Sequence, residues 1–146
     1  KQAQDMAEMG ADSICIKDMA GLLSPVAASS LVKAIKAKVN LPVQIHSHYT
    51  SGMAAMSYLA AIEAGADVVD CAISPFAMGT SQPATEAIVA ALAGGEYDTK
   101  LSLEKLLPVS QLERHRVRCQ PFLPHHGFER LGVIVNIHGA SLLRGS

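Results

Sequence analysis

Glu8-Met9-Gly10-Ala11-Asp12, followed by Ser13-Ile14-Cys15-Ile16, returns later in the chain as Glu63-Ala64-Gly65-Ala66-Asp67, followed by Val68-Val69-Asp70-Cys71. Each copy reads as the end of a helix feeding a strand. Gly10 and Gly65 suit the left-handed position that closes a helix, and the short β-branched run after each suits a buried parallel strand. Between the copies, Leu31, Val32, Ile35 and Val39 keep a helical period from about Pro25 to Lys38. Pro42-Val43-Gln44-Ile45 then reads as a further strand. Helix and strand therefore alternate, and right-handed crossovers of this kind make the strands parallel. Two architectures fit: an open doubly wound sheet or part of a (β/α)8 barrel. A barrel takes about 250 residues and eight strands. A chain of 146 residues with three convincing strands cannot close one alone.

Downstream, Ala84, Ala87, Ile88, Ala91 and Leu92 mark an amphipathic helix from Pro83 to about Ala93, ended by Gly94-Gly95, and another helix is expected from about Leu103 to Arg116. Beyond it, Pro121, Pro124 and His125-His126-Gly127 are loop signals, and Val133-Ile134-Val135 is a short apolar run without an evident partner. The fold expected is α/β: three parallel strands with helices, a C-terminal part of a (β/α)8 TIM barrel, plus an irregular tail. The division falls into residues 1–95, the βα units, and residues 96–146, a helical segment and divergent tail.

Composition removes several classes of function. Twelve basic against thirteen acidic residues give a net charge of -1, so there is no positive excess to neutralise phosphates or anionic membrane surfaces, and no nucleic-acid partner is expected. No apolar run reaches the roughly 18 to 20 residues of a membrane span, and no signal-like segment opens the chain. Cys15, Cys71 and Cys119 are odd in number and widely spaced, which argues against a disulfide framework and points to a reducing, cytoplasmic setting. Cys15 and Cys71, embedded in apolar strands, are expected to be buried and unpaired. The chain opens on Lys1, inside an amphipathic pattern, as a piece of a larger domain would.

His46-Ser47-His48 stands where the strand from Pro42 should end. Residues two apart on a strand project from one face, and the C-terminal strand ends form the active face of a barrel. Two imidazoles can there converge on a divalent ion; two polar residues ending a strand are the plain alternative. Lys17 occupies the same place after Ile14-Cys15-Ile16, either as a functional group or as a solvated lysine paired with Asp18. Thr50-Ser51-Gly52 reads as a helix cap, and in Thr80-Ser81-Gln82-Pro83 a capping residue precedes proline at the first helical position. Lys17, His46 and His48 are expected in one cluster.

Three phrases carry a family resemblance: Ile16-Lys17-Asp18-Met19-Ala20-Gly21-Leu22-Leu23-Ser24-Pro25, Ile45-His46-Ser47-His48-Tyr49-Thr50-Ser51-Gly52 and Ser74-Pro75-Phe76-Ala77-Met78-Gly79-Thr80-Ser81-Gln82-Pro83-Ala84-Thr85-Glu86. Together, over about residues 1 to 95, they resemble the carboxyltransferase domain of biotin-dependent enzymes, the family of pyruvate carboxylase, transcarboxylase and the oxaloacetate decarboxylase alpha chain. Tyr49 in place of an aspartate, with the Ser74 to Glu86 phrase, looks most like the last of these. The resemblance implies a lyase or transferase that decarboxylates oxaloacetate to pyruvate and passes the carboxyl group to biotin. It implies His46 and His48 as ligands of a divalent metal (zinc, manganese or cobalt). Lys17, carbamylated by CO2, becomes a third ligand and catalytic group. It further implies a biotin carrier domain or protein as partner and, through the oxaloacetate decarboxylase branch, a membrane partner subunit.

The departures from the family are also specific. Its aspartate ligand and its substrate-holding arginine and glutamine come from an earlier half of the barrel, outside this chain. Its proton-shuttling threonine has no counterpart in Ile137-His138-Gly139-Ala140-Ser141-Leu142-Leu143-Arg144. The sequence reads as the last three βα units with an unfamiliar tail, as a truncated gene, a partial read or a frame error after about Arg114 would produce. His115, His125, His126 and His138 receive no role. Two alternatives stand beside the carboxyltransferase. One is a non-catalytic fragment with weak metal binding. The other is an acyl-CoA lyase or condensing synthase of the same superfamily, whose members share the paired histidines but lack the lysine. Alone, the chain is expected to be inactive, with two open sheet edges, and to associate with itself or with a missing barrel half.

Overall fold

The computed structural model describes residues 1–119 and 132–136. Three βα units come first: α1 (Gln2–Glu8), β1 (Ile14–Asp18), α2 (Pro25–Lys36), β2 (Val43–Ser47), α3 (Ala54–Glu63) and β3 (Val68–Ala72). A 3-10 turn (Ser74–Phe76), α4 (Thr85–Leu92), α5 (Leu103–Cys119) and β4 (Gly132–Asn136) follow. Gly10 and Gly65 take φ of +91° and +101°, one residue beyond the C-caps Met9 and Ala64, and close α1 and α3 as the repeated phrase implies. Pro25 opens α2, where its missing N–H costs nothing, and the Ser24 hydroxyl accepts the Ala27 amide at 3.3 Å.

The sheet runs β1-β2-β3-β4, with the first three strands parallel. Pairing of Ile14 with Val43 and of Ile45 with Val69 fixes which residues share a face. Ile14, Val43, Ile45, Val69 and Cys71 are buried on one side, the last four packed with Ala28 and Val32 of α2, Tyr58, Ala61 and Ile62 of α3, and Ile88 and Leu92 of α4. The other side carries Cys15, Lys17, Gln44, His46, Val68 and Asp70, none of them buried. Helix α5 docks through Ser110, whose hydroxyl donates to the buried Glu86 carboxylate. Glu86 also accepts the Ser74 amide at 3.0 and 3.2 Å, joining α4, α5 and the 3-10 turn.

Several expectations change. The run Val133–Val135 does have a partner: β4 pairs antiparallel with all of β3, from Val68 opposite Asn136 to Ala72 opposite Gly132, and Val135 is fully buried. Among the described residues the sheet edges are therefore β1 and β4, and β3 is an inner strand. Pro83 does not start α4. Its carbonyl accepts the Ala72 amide at 3.0 Å, Ala84 bridges Ala72, and the helix begins at Thr85. The tail from 120 to 131 and from 137 to 146, with its three histidines, lies outside the described residues.

The cysteines divide. Cys71 is buried, as expected, but Cys15 is exposed, because strand alternation puts it on the side opposite the helix-packed core. Burial first, and then the negative charges of Asp70 and Glu86, push the Cys71 thiol up to about 12. Partial burial and Asp70 also raise Cys15, against the opposing pull of Lys17. A maleimide applied to the native chain, read by peptide mass, is expected to modify Cys15 and to reach Cys71 only in denaturant. Equal native labelling of the two would contradict the assignment of faces.

Candidate metal and substrate site

The C-terminal ends of β1 and β2 bring the three expected residues together. Lys17 and His46 are register partners on adjacent strands, and the imidazoles of His46 and His48 meet edge to face, Nε2 to Nε2 at 3.4 Å. Each ring is held from behind. His46 Nδ1 lies 2.8 Å from Asp70 Oδ2, and His48 Nδ1 lies 2.5 Å from the Thr80 carbonyl oxygen. A carbonyl, like a carboxylate, only accepts, so both Nδ1 atoms donate in the neutral rings and both Nε2 atoms present lone pairs to one another. Two lone pairs facing across this gap repel unless something positive lies between them.

That geometry fits a cation. Tetrahedral zinc bonds of about 2.0 to 2.1 Å would set two imidazole nitrogens about 3.3 to 3.4 Å apart, and carboxylate and carbonyl partners on the far nitrogens are the usual supports of metal-binding histidines. Among the described residues no third His, Cys, Asp or Glu joins the pair, so the chain offers two imidazoles with Lys17 beside them.

Further residues shape the site. Asp70, in register beyond Val69, also accepts Gln44 Nε2 at 2.6 Å, which leaves its other oxygen for His46. The loop after β3 brings Gln82, with Nε2 3.4 Å from His46 Nε2, as well as Thr80. This loop is clamped to the β2 end by the Tyr49 amide on the Ser81 carbonyl at 2.7 Å. Tyr58 joins β2 to β3 beneath the histidines. Period-two parity from His46 across the sheet would have pointed to Asp70 and Gln44. No sequence signal places Gln82 or Tyr58.

Asp18 does not pair with Lys17. It points to the opposite side of β1 and accepts the Leu23 amide at 2.8 Å, the Leu22 amide at 3.2 Å and the Ser47 hydroxyl at 2.8 Å. Burial alone would raise its pKa, but these donors and the Gly21 amide outweigh it and hold the carboxyl below its ordinary value. The hydroxyls of the Thr50-Ser51 pair are not simple helix caps either: Thr50 donates to the Ala20 carbonyl and Ser51 to that of Gly21, fastening the loop after β1 to the loop after β2. Helix α3 has no side-chain cap at Met53.

The HMGL-like family model matches residues 1–112, and the chain belongs to that family. It is 64% identical over 104 residues to one of the pyruvate carboxylase subunits of Methanocaldococcus jannaschii, covering 71% of this chain and 18% of that protein. It is 44% identical over 108 residues to the methylmalonyl-CoA carboxyltransferase 5S subunit of Propionibacterium freudenreichii, covering 73% of this chain and 21% of that one. Among solved structures, the carboxyl transferase domain of Rhizobium etli pyruvate carboxylase with pyruvate and biocytin superposes with a TM-score of 0.77 at 43% identity, over 79% of this chain and 19% of that one. The expected fold, a part of a (β/α)8 barrel of the carboxyltransferase kind, is borne out. The chain thus spans about a fifth of the length of these relatives.

Proposed function

We propose that the chain provides part of a carboxyltransferase centre that moves a carboxyl group between biotin and the pyruvate/oxaloacetate pair, decarboxylating oxaloacetate in the direction most easily assayed. The observation that carries this reading is the pair of Nε2 lone pairs converging at 3.4 Å, each ring braced by an acceptor behind it. The relatives named for pyruvate carboxylase and for carboxyl transfer, and the one solved with pyruvate and biocytin, support the substrate class.

In this reading His46 and His48 hold a divalent cation (zinc, manganese or cobalt), and Lys17, as its carbamate, adds an anionic oxygen. The cation would supply Lewis-acid polarisation of the keto-acid carbonyl and stabilise enolate charge. Asp70 and the Thr80 carbonyl keep both imidazoles in the tautomer whose Nε2 is an acceptor, that of His46 now facing the Gln82 amide. Gln82 is placed to donate its amide hydrogens to a keto-acid oxygen beside His46. As the C3–C4 bond of oxaloacetate breaks, the carboxyl group passes to the biotin ureido nitrogen, and the proton displaced there passes to C3 of pyruvate. A biotin carrier domain or protein is the partner this requires. We also propose residues 1–95 as the barrel units that carry the site. No helix of the described residues is long and apolar enough to cross a membrane.

Equilibrium dialysis of the chain against zinc, manganese and cobalt, followed by oxaloacetate with biocytin, tests the reading. One bound cation per chain is expected, with no gain in pyruvate release by the chain alone, and with release faster than by the same metal in buffer, and faster again with biocytin, once the earlier half of the barrel is supplied. Cation binding without any gain in pyruvate release even with that half supplied would assign the chain to the non-catalytic alternative. No binding would remove the metal centre altogether.

A further inference from the structure

We infer that Tyr58 is a positioning residue for the histidine pair, acting through the gap it opens between β2 and β3. Parallel pairing of Ile45 with Val69 implies that the next bond along the same edge should join the Ser47 amide directly to the Asp70 carbonyl. Instead the Tyr58 hydroxyl stands between them, accepting the Ser47 amide at 3.0 Å and donating to the Asp70 carbonyl at 2.8 Å. Tyr58 is fully buried on α3 and belongs to the core cluster, so its ring cannot move aside without leaving a void.

The two backbone groups it links belong to the residues that matter. Ser47 lies between the two histidines, and Asp70 carries the carboxylate that accepts from His46. Inserting one oxygen into the ladder separates the strand tops from beneath, while Asp70 and His46 close the distance on the opposite face at 2.8 Å. The hydroxyl therefore sets how far the carboxylate stands from the imidazole. Burial raises the Tyr58 pKa well above that of free tyrosine, which keeps the hydroxyl protonated and donating to Asp70. Without it, either the ladder closes directly and shifts His46 against Asp70, or a buried amide and carbonyl are left unpaired.

This inference rests on the metal reading above. The test is a double-mutant cycle with zinc alone as probe, comparing Tyr58→Phe, Asp70→Asn and the double variant with the parent by competition against a chromogenic chelator. The comparison is made below the melting temperature of each protein. Tyr58→Phe is expected to weaken zinc affinity by about tenfold, the scale for outer partners of a metal-bound histidine, and to add little in the Asp70→Asn background. The electronic spectrum of bound cobalt should shift in Tyr58→Phe, which a loss of stability alone would not produce. Parent-like zinc affinity and cobalt spectrum in Tyr58→Phe, or a full tenfold loss retained without Asp70, would overturn it. If Tyr58→Phe does not fold, 3-fluorotyrosine at Tyr58 keeps the shape and strengthens the hydroxyl as a donor, and an unchanged cobalt spectrum there would likewise overturn it. A parent chain that binds no zinc would instead remove the metal reading itself.

Discussion

Replacing His48 with alanine is expected to lower affinity for zinc, manganese and cobalt by more than about a hundredfold, and replacing His46 to do the same. Loss of an outer partner of such a site costs about ten- to a hundredfold, and loss of a ligand must exceed it. The effect should be nearly all-or-none, because among the described residues no third His, Cys, Asp or Glu stands ready to substitute. Neither change should cost much stability. Neither histidine belongs to the buried core, and relieving the facing lone pairs offsets the loss of the bonds to Asp70 and Thr80. Isothermal titration beside a thermal melt reads both quantities. Retained affinity in either variant would place the cation elsewhere, and a collapse of the melting temperature would make the pair a structural feature.

The second large effect is expected at a glycine in the loop after β1. Gly21 follows β1 with φ of +68°, and a β-carbon there would sit well inside contact distance of the His48 carbonyl oxygen and the Thr50 hydroxyl. Gly21→Ala thus combines the cost of a left-handed backbone, about 1 kcal/mol, with the parting of two loops, for a total of roughly 3 kcal/mol. For a domain of this size that corresponds to a fall in melting temperature of roughly 6 to 12 °C. Gly52→Ala is the control. Its φ is +79°, but a β-carbon meets nothing within 4 Å, so only the backbone cost of about 1 kcal/mol applies. Equal losses in the two variants would show that the close approach of the loops is not what Gly21 serves. Because His48 is one of the groups displaced, Gly21→Ala should also weaken zinc binding while Gly52→Ala leaves it intact.

Much of the fold is legible in one dimension. The doubled helix-glycine-strand phrase sets the element order, and strand parity puts His46 and Lys17 on one face. Cys15 departs from its expected burial for a definite reason. An apolar run tells that a strand is β-forming, but not which of its faces a neighbour will cover. The alternative reading of Lys17 as a partner of Asp18 fails through the same parity that joins Lys17 to His46, since adjacent residues on a strand point apart.

Local chemistry determined the rest of what the chain declares by itself. Glycine where φ must be positive, proline where no amide is needed and β-branched runs between helices are constraints that act within a few residues, so they show in the sequence. The tertiary structure alone decided the partners: Asp70 behind His46, the Thr80 carbonyl behind His48, Gln82 beside them, Tyr58 wedged between β2 and β3, and β4 against the far edge of β3. Each joins residues distant in the chain, through a hydrogen bond whose direction depends on strand register and loop path, and no local propensity encodes either.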